Sequence, residues 1–386
     1  MSLPMVSPGP PPLDPGYAAG IAKGLDRAFA GATEQVLDTA TARLIVFSDH
    51  HKGGGDAADD FRRSERAYSA ALGYYLEAGH RLCVLGDAEE LWEEKPETVL
   101  RRYAAVLALE AEFAARGRYE RFWGNHDDRW RSHWEVRRRL GKVLPGVKVR
   151  EALKLRVRRA GKPDVVIFLV HGHQGTSESD RWGWLSRLVV RLVWRPIQRM
   201  TGWSATTPAT DFKLRAKHDR AMFEWARTRP EPVILIAGHT HRPVFGRCTP
   251  PGPSARAPGE LRPLLATATT AGDREQAEAL RAELEYALEI ERDPDDVITV
   301  EPPCYFNTGC CCFPDGDVTG LELADGELRL VRWPRELAAL RTSEGGALDA
   351  SLRIREREDF ADVLDRVSAV APDRGEILAH PVIAGG

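Results

Sequence analysis

Short apolar runs alternate with longer stretches of helical periodicity from Arg43 onward. The runs at 43–48 (RLIVFS), 81–85 (RLCVL), 119–123 (YERFW), 165–170 (VVIFLV) and 233–237 (VILIA) are each followed closely by a turn or polar cluster. That is the pattern of a buried strand. Segments 60–78, 97–116 and 211–228 fit between several of them as helices, which predicts an α/β domain with a βαβ rhythm. Three later segments, 304–308, 318–323 and 327–332, read as strands, the last two joined by a turn at Asp325-Gly326.

The polar and breaker-rich stretches divide the chain. Residues 1–16 are rich in proline and glycine and are expected to be disordered. Residues 249–265 are again rich in proline and glycine, and 272–293 form a strongly charged helical stretch, so the two together read as an insertion. The expected organisation is an N-terminal extension (1–41, partly disordered), one domain over 42–333 and a C-terminal helical extension over 334–386. The domain carries a helical lid at about 178–210 and the insertion at about 249–295.

Composition narrows the possibilities. The 386 residues suffice for a large buried core, and a formal net charge of -3 leaves no global field to mark a nucleic-acid binder. The six cysteines, three of them consecutive, do not read as a disulfide framework. The N-terminal residues lack the basic start and apolar stretch of a signal peptide, and no apolar run is long enough to span a bilayer. A cytoplasmic address is expected.

Ligand-type side chains recur at the ends of the five predicted strands, where a rigid sheet can aim them from loops. Asp49 and His51 follow the first, Asp87 the second, Asn125, His126 and Asp127 the third, His171 and His173 the fourth, and His239 and His241 the fifth. Of eleven histidines, seven (His50, His51, His126, His171, His173, His239 and His241) lie at or beside these points, more convergent imidazole than a packed domain needs. Imidazole, carboxylate and one amide oxygen suit borderline divalent ions such as manganese, iron or zinc, manganese first among them. Two such ions roughly 3.5–4 Å apart need a shared carboxylate, which Asp87 is best placed to supply. Their charge lowers the pKa of a bridging water, so that hydroxide exists near neutral pH, and neutralises phosphoryl oxygens. Glycines before Asp87, Asn125 and His239 allow tight turns and close approach of a phosphate. His50, His173 and Asp128 read as turn or cap residues.

The succession D-x-H, GD, GNHD, H-G-H and GHTH, spanning roughly 43–245, resembles the calcineurin-like metallophosphoesterase family, and Asn307-Thr308-Gly309 fits as well. Each motif alone is weak, but five in order after five strands are specific. The resemblance implies a four-layer αββα sandwich of two mixed sheets with a dinuclear metal site at the strand carboxyl ends. It implies one ion on Asp49, His51, Asp87 and His241, and a second on Asp87, Asn125, His171 and His239. His126 would then face the substrate, as donor to the phosphoryl oxygen or the leaving group, with Glu90 in support.

Gly86-Asp87-Ala88-Glu89-Glu90-Leu91-Trp92 lacks the GDxVDRG continuation of protein serine/threonine phosphatases. The GD-x-x-E-x-W pattern, His171-Gly172 and GHTHRPVF at 238–245 are similar to the UDP-2,3-diacylglucosamine pyrophosphatase branch. Enzymes of that branch cleave a nucleotide-linked lipid precursor at the inner membrane and are considerably shorter. The segment 181–210 adds Arg181, Arg187, Arg191, Arg195 and Arg199 with four tryptophans and no acidic residue, the composition of an interfacial helix pair. Arg187, Arg191 and Arg195 are the expected substrate-binding residues of a lid, and peripheral contact with anionic membrane would follow; a solvated cap packed by its tryptophans is the competing reading. The expected substrate carries phosphate, as a small molecule or lipid-linked, and nucleic acid is disfavoured. A nuclease of the same fold and a non-catalytic protein-binding scaffold are the alternatives. Cys310, Cys311 and Cys312 are expected to be small buried thiols rather than an additional metal site.

Overall fold

The computed structural model describes residues 13–175, 212–245, 258–270, 284, 302–335 and 354–369. The expected lid, with Arg187, Arg191 and Arg195, and much of the expected insertion lie outside these residues.

Strands Thr33–Leu37 (β1), Ala152–Val157 (β6), Val165–Val170 (β7), Val233–Ala237 (β8), Pro243–Val244 (β9) and Tyr305–Thr308 (β10) form one sheet in the order β1-β6-β7-β8-β10-β9. Strands Arg43–Phe47 (β2), Arg81–Leu85 (β3), Tyr119–Phe122 (β4), Val149–Arg150 (β5), Val318–Ala324 (β11), Glu327–Trp333 (β12) and Ile354–Asp359 (β13) form the other, in the order β13-β12-β11-β2-β3-β4-β5. Both sheets are mixed. In the first, β7, β8 and β10 run parallel while β6 and β9 pair antiparallel. In the second, β2 to β5 run parallel and β11 to β13 antiparallel.

Period-2 alternation on strands buried on both faces explains the continuous apolar runs. Leu44 and Val46 of β2 and Cys83 and Leu85 of β3 point into the core between the sheets, whereas Ile45, Phe47, Leu82 and Val84 point into the outer core. Helices Glu65–Glu77 (α2), Pro96–Arg102 (α3) and Ala104–Ala115 (α4) cover that outer face. The expected single helix over 97–116 is broken at Tyr103 (φ -103°, ψ 27°), whose buried hydroxyl donates to Asp59 Oδ2 at 2.6 Å. On the first sheet lie Pro15–Gly31 (α1) and Phe212–Arg227 (α6), where Phe29 packs edge-on to Phe168 and Trp225. The arrangement is the expected αββα sandwich.

Two terminal segments differ from expectation. Helix α1 is part of the core: Asp14 Oδ1 caps it by accepting from Tyr17 N–H, and Ile21, Leu25, Ala28 and Phe29 make a buried stripe. The C-terminal segment, expected to be helical, contributes strand β13 before a helix, Phe360–Ala369 (α8). The alternating charge of IRERED suits an edge strand with one exposed face, and carries no apolar signal. Two more helices, His133–Arg138 (α5) and Pro258–Thr270 (α7), complete the described α-helices. Helix α8 inserts Phe360, Val363, Leu364 and Val367 into the inter-sheet core, where Arg159 of the β6–β7 turn donates to Leu364 O and Ser368 Oγ. It therefore lies at the end of the sandwich opposite the carboxyl end of β7.

Candidate metal centre

Parallel strands end on one side of a sheet, so β2, β3 and β4 of one sheet and β7 and β8 of the other deliver their following loops to the same end of the sandwich. The turns are sharp. Asp49, His51, Asp87, His239 and His241 all have positive φ, between 48° and 70°, a region that Asp and His tolerate better than most residues. Backbone bonds lace the first two loops together, His51 N–H to Asp87 O at 2.9 Å and Lys52 N–H to Ala88 O at 3.0 Å. Asp127, last residue of GNHD, accepts from Gly124 N–H at 2.6 Å and Ala88 N–H at 3.0 Å, fixing the third loop against the second.

The side chains gather in two adjoining groups, Asp49–His51–His241 and Asp87–His171–His239. Asp87 lies between them: its Oδ2 is 3.1 Å from His171 Nε2 and 3.9 Å from His51 Nε2. Asp49 Oδ1 faces His241 Nε2 at 3.3 Å and His171 Nε2 at 3.9 Å. His171 Nδ1 donates to Leu85 O at 2.8 Å, which leaves Nε2 bare toward the two carboxylates. Glu90 likewise accepts from His51 Nδ1 at 3.0 Å, so that the bare Nε2 of His51 stands 3.2 Å from His241 Nε2. Two imidazole nitrogens at that distance need a proton or a cation between them.

These residues fit divalent ions. Asp49 Oδ1, Asn125 Oδ1 and His171 Nε2 are buried without a hydrogen bond, an arrangement costly unless something positive satisfies them. Burial opposes charge on His51, yet the Glu90 and Asp87 carboxylates raise it to about 10; against the same opposition, Asp87 and Asp49 raise His171 to about 9. The same cluster, in short, recruits positive charge. Its nitrogen and oxygen donors are those of borderline divalent metals.

His126 belongs to a second tier. Its Nδ1 donates to Glu90 Oε2 at 2.7 Å and its backbone N–H to Asp87 Oδ1 at 2.8 Å. Burial lowers its pKa, but Glu90 and Asp87 outweigh burial and raise it. Trp92 stacks on the ring with centroids 4.2 Å apart and an interplanar angle of 17°, and is itself anchored by Nε1 donating to Asn125 O at 2.7 Å. In the sequence Trp92 shows only as the last residue of GD-x-x-E-x-W, with nothing to mark the stacking.

A profile of the calcineurin-like phosphoesterases matches residues 42–243, more than half the chain. The chain belongs to this family. Metal-dependent hydrolysis of phosphoesters is therefore the general activity of this phosphoesterase. No curated protein sequence matches the chain. A crystal structure of a conserved uncharacterized protein from Streptococcus pneumoniae TIGR4, named as a predicted phosphoesterase, is 11% identical over 78% of this chain and 92% of that one. Its TM-score of 0.26 is too low to bear on fold or function.

Behind the centre, the phosphoesterase carries a buried charge network that no sequence pattern announced. Lys52 Nζ contacts Glu110 Oε1 at 2.8 Å, and Arg121 bonds both Glu110 and Glu89, with Trp130 Nε1 donating to Glu89 at 2.8 Å. Lys52 immediately follows D-x-H and Glu89 precedes Glu90, so the network sets the backbone on which two ends of the site rest. Asn307 does the same for the GHTH loop, donating to Gly238 O at 2.7 Å and Thr240 Oγ1 at 3.1 Å. His218 of α6 contacts Gly172 O through Nε2 and the Tyr17 hydroxyl through Nδ1, each at 2.8 Å, tying α1 to the His171 loop. His50 packs against Tyr68 and Phe61 and points away from the centre; burial holds its pKa well below the usual value. His173 lies against Trp123, and Asp128 opens a short 3-10 turn, Asp128–Arg131. Among the described residues no helix is long and apolar enough to cross a membrane.

Proposed function

We propose that the phosphoesterase holds one divalent ion on Asp49, His51, Asp87 and His241 and a second on Asp87, Asn125, His171 and His239. The observation that carries this reading is the position of Asp87 between the two side-chain groups. When bound, the ions supply Lewis acidity and a deprotonated water at neutral pH. The chain's own residues do the rest. Glu90 fixes the Nδ1 edge of His126, leaving the opposite nitrogen for a phosphoryl oxygen or leaving group, to which it donates a proton. Trp92 holds the ring flat and tethers it to the Asn125 backbone.

The narrower reading is a nucleotide-linked pyrophosphate or phosphodiester bearing a lipid or sugar group, with manganese as the metal. It is supported by the GD-x-x-E-x-W pattern and by the arginine- and tryptophan-rich stretch that contains Arg187, Arg191 and Arg195. In this reading residues 42–333, together with the N-terminal α1 and β1 and the C-terminal β13 and α8 that complete the sandwich, are the catalytic domain, residues at about 178–210 a lid, and the protein works in the cytoplasm, in contact with anionic membrane. The test combines metal content per chain with a hydrolysis screen, in manganese, over nucleotide, lipid-linked and nucleic-acid esters and a chromogenic phosphodiester. The reading expects two ions per chain and preferred turnover of the nucleotide–lipid pyrophosphate. Preferred turnover of nucleic acid would replace it with a nuclease, and metal without any turnover with a scaffold.

A further inference from the structure

Beyond β10 the chain runs Gly309-Cys310-Cys311-Cys312, and the three thiols divide. Cys311 is packed in the outer core, and its backbone N–H donates to Asp49 O at 3.1 Å. Cys310 and Cys312 gather instead at His241. Cys312 Sγ is 3.8 Å from His241 Nδ1, and the ligand atoms of Cys310, Cys312 and His241 all lie within 4.8 Å of one another. The other ring nitrogen, Nε2, is turned to Asp49 and His51. The thiols therefore occupy the one edge of His241 that the hydrolytic centre leaves over.

We propose that Cys310, Cys312 and His241 Nδ1 form a separate binding site for a thiophilic cation of the zinc or cadmium class. Ordinary tetrahedral geometry, with metal–sulfur about 2.3 Å and metal–nitrogen about 2.0–2.1 Å, sets sulfur and nitrogen about 3.6 Å apart. The observed 3.8 Å needs almost no adjustment. The backbone at Cys310 is anchored, its carbonyl accepting from Thr319 N–H at 3.1 Å, so closing the remaining distance falls to the side chains. Cys310 is buried and Cys312 only half-buried, which gives the ion protein ligands on one side and a water position on the other. Two thiolates and an imidazole select a soft cation, whereas the neighbouring centre offers only nitrogen and oxygen. Binding releases the two thiol protons, because thiolate is the ligand. Where His241 Nε2 also holds an ion, the ring gives up its Nδ1 proton and bridges the two sites. The shared ring is the only feature that depends on the ligand assignment above.

Cadmium is the probe, because thiolate-to-cadmium charge transfer absorbs in the ultraviolet and oxygen or nitrogen ligation does not. The reduced full-length protein should develop the band with one equivalent of cadmium. It should vanish in Cys310→Ser/Cys312→Ser and persist in Cys248→Ser. If the double variant does not fold, Cys312→Ser alone should halve the intensity, and cadmium should protect the parent's Cys312 from a thiol reagent. Absence of the band in the parent, its survival in the double variant, or unprotected Cys312 would overturn the proposal. Because the band reads sulfur alone, failure of the hydrolytic centre to take its ions would leave this result standing.

Discussion

Five residues proposed to bind metal share an unfavourable backbone state. Asp49, His51, Asp87, His239 and His241 are left-handed, at a cost of roughly 1–2 kcal/mol each, and among the described residues the sixth such non-glycine residue, Asp325, merely turns a hairpin. Strain gathered in this way is what a site requires when it must point carboxylates and imidazoles back across strand ends. Neighbouring glycines make it possible: a Cβ on Gly124 would stand 2.1 Å from Asp87 Oδ1. Gly124→Ala should therefore displace Asp87 and lower bound metal and turnover together, as measured by metal analysis and phosphodiester hydrolysis; full metal with normal turnover would contradict the geometry. Asp87→Ala should lose both ions. His126→Ala should keep both and lose on the order of 10²–10⁴ in kcat, less for substrates with good leaving groups. Loss of stoichiometric metal from His126→Ala would make His126 a ligand instead.

Among the elements, buried strands were the most legible. RLCVL and VVIFLV stand in the structure over the residues their apolar runs occupy, because both faces of β3 and β7 are covered. Edge strands were not: β1 reads TEQVL and β13 IRERED, and an exposed face removes the apolar signal. Helix α1 was missed because small residues space its stripe and a proline-rich stretch precedes it. The ligand-type residues were legible because chemistry-bearing types recur after strands. Trp92, Lys52 and His218 act through contacts between distant segments, which no local pattern records. Helix α1 matters to the site. A Cβ on Gly24 would lie 2.4 Å from Gly175 N, at the end of the loop that carries His171 and His173. Gly24→Ala should cost about 1–3 kcal/mol of stability, as overpacking does, and weaken metal binding through His171. Denaturant midpoints and metal affinity should move together, and an unchanged midpoint would mean that α1 yields freely.

For the whole molecule, a buried carboxyl sets part of the pH dependence of stability. Burial raises Asp219 of α6 from 3.8 to about 6, although Arg242 works the other way. A carboxyl raised in the folded state favours folding while protonated; its contribution is complete below 3.8 and is lost as pH rises through about 6. Asp219→Asn keeps an oxygen for the Thr240 and Tyr305 hydroxyls, which reach Oδ1 at 2.9 and 2.7 Å, and does not titrate. Its stability relative to the parent should rise from about pH 4 to about pH 7, by on the order of 3 kcal/mol. A difference independent of pH in denaturant titrations would exclude Asp219 as the source. The two ends of the sandwich are closed by different means. Helix α8 seals one with apolar side chains, whereas at the other Asp49, His51, Asp87 and Asn125 hang from one sheet and His171, His239 and His241 from its partner. Ions held there would be rivets through the seam, each adding about 2.7 kcal/mol at a concentration a hundredfold above its Kd. Chelation should then lower the melting temperature and let amide exchange spread from the riveted ends of β2 and β8 inward, so that the catalyst and its fastener would be lost in one step.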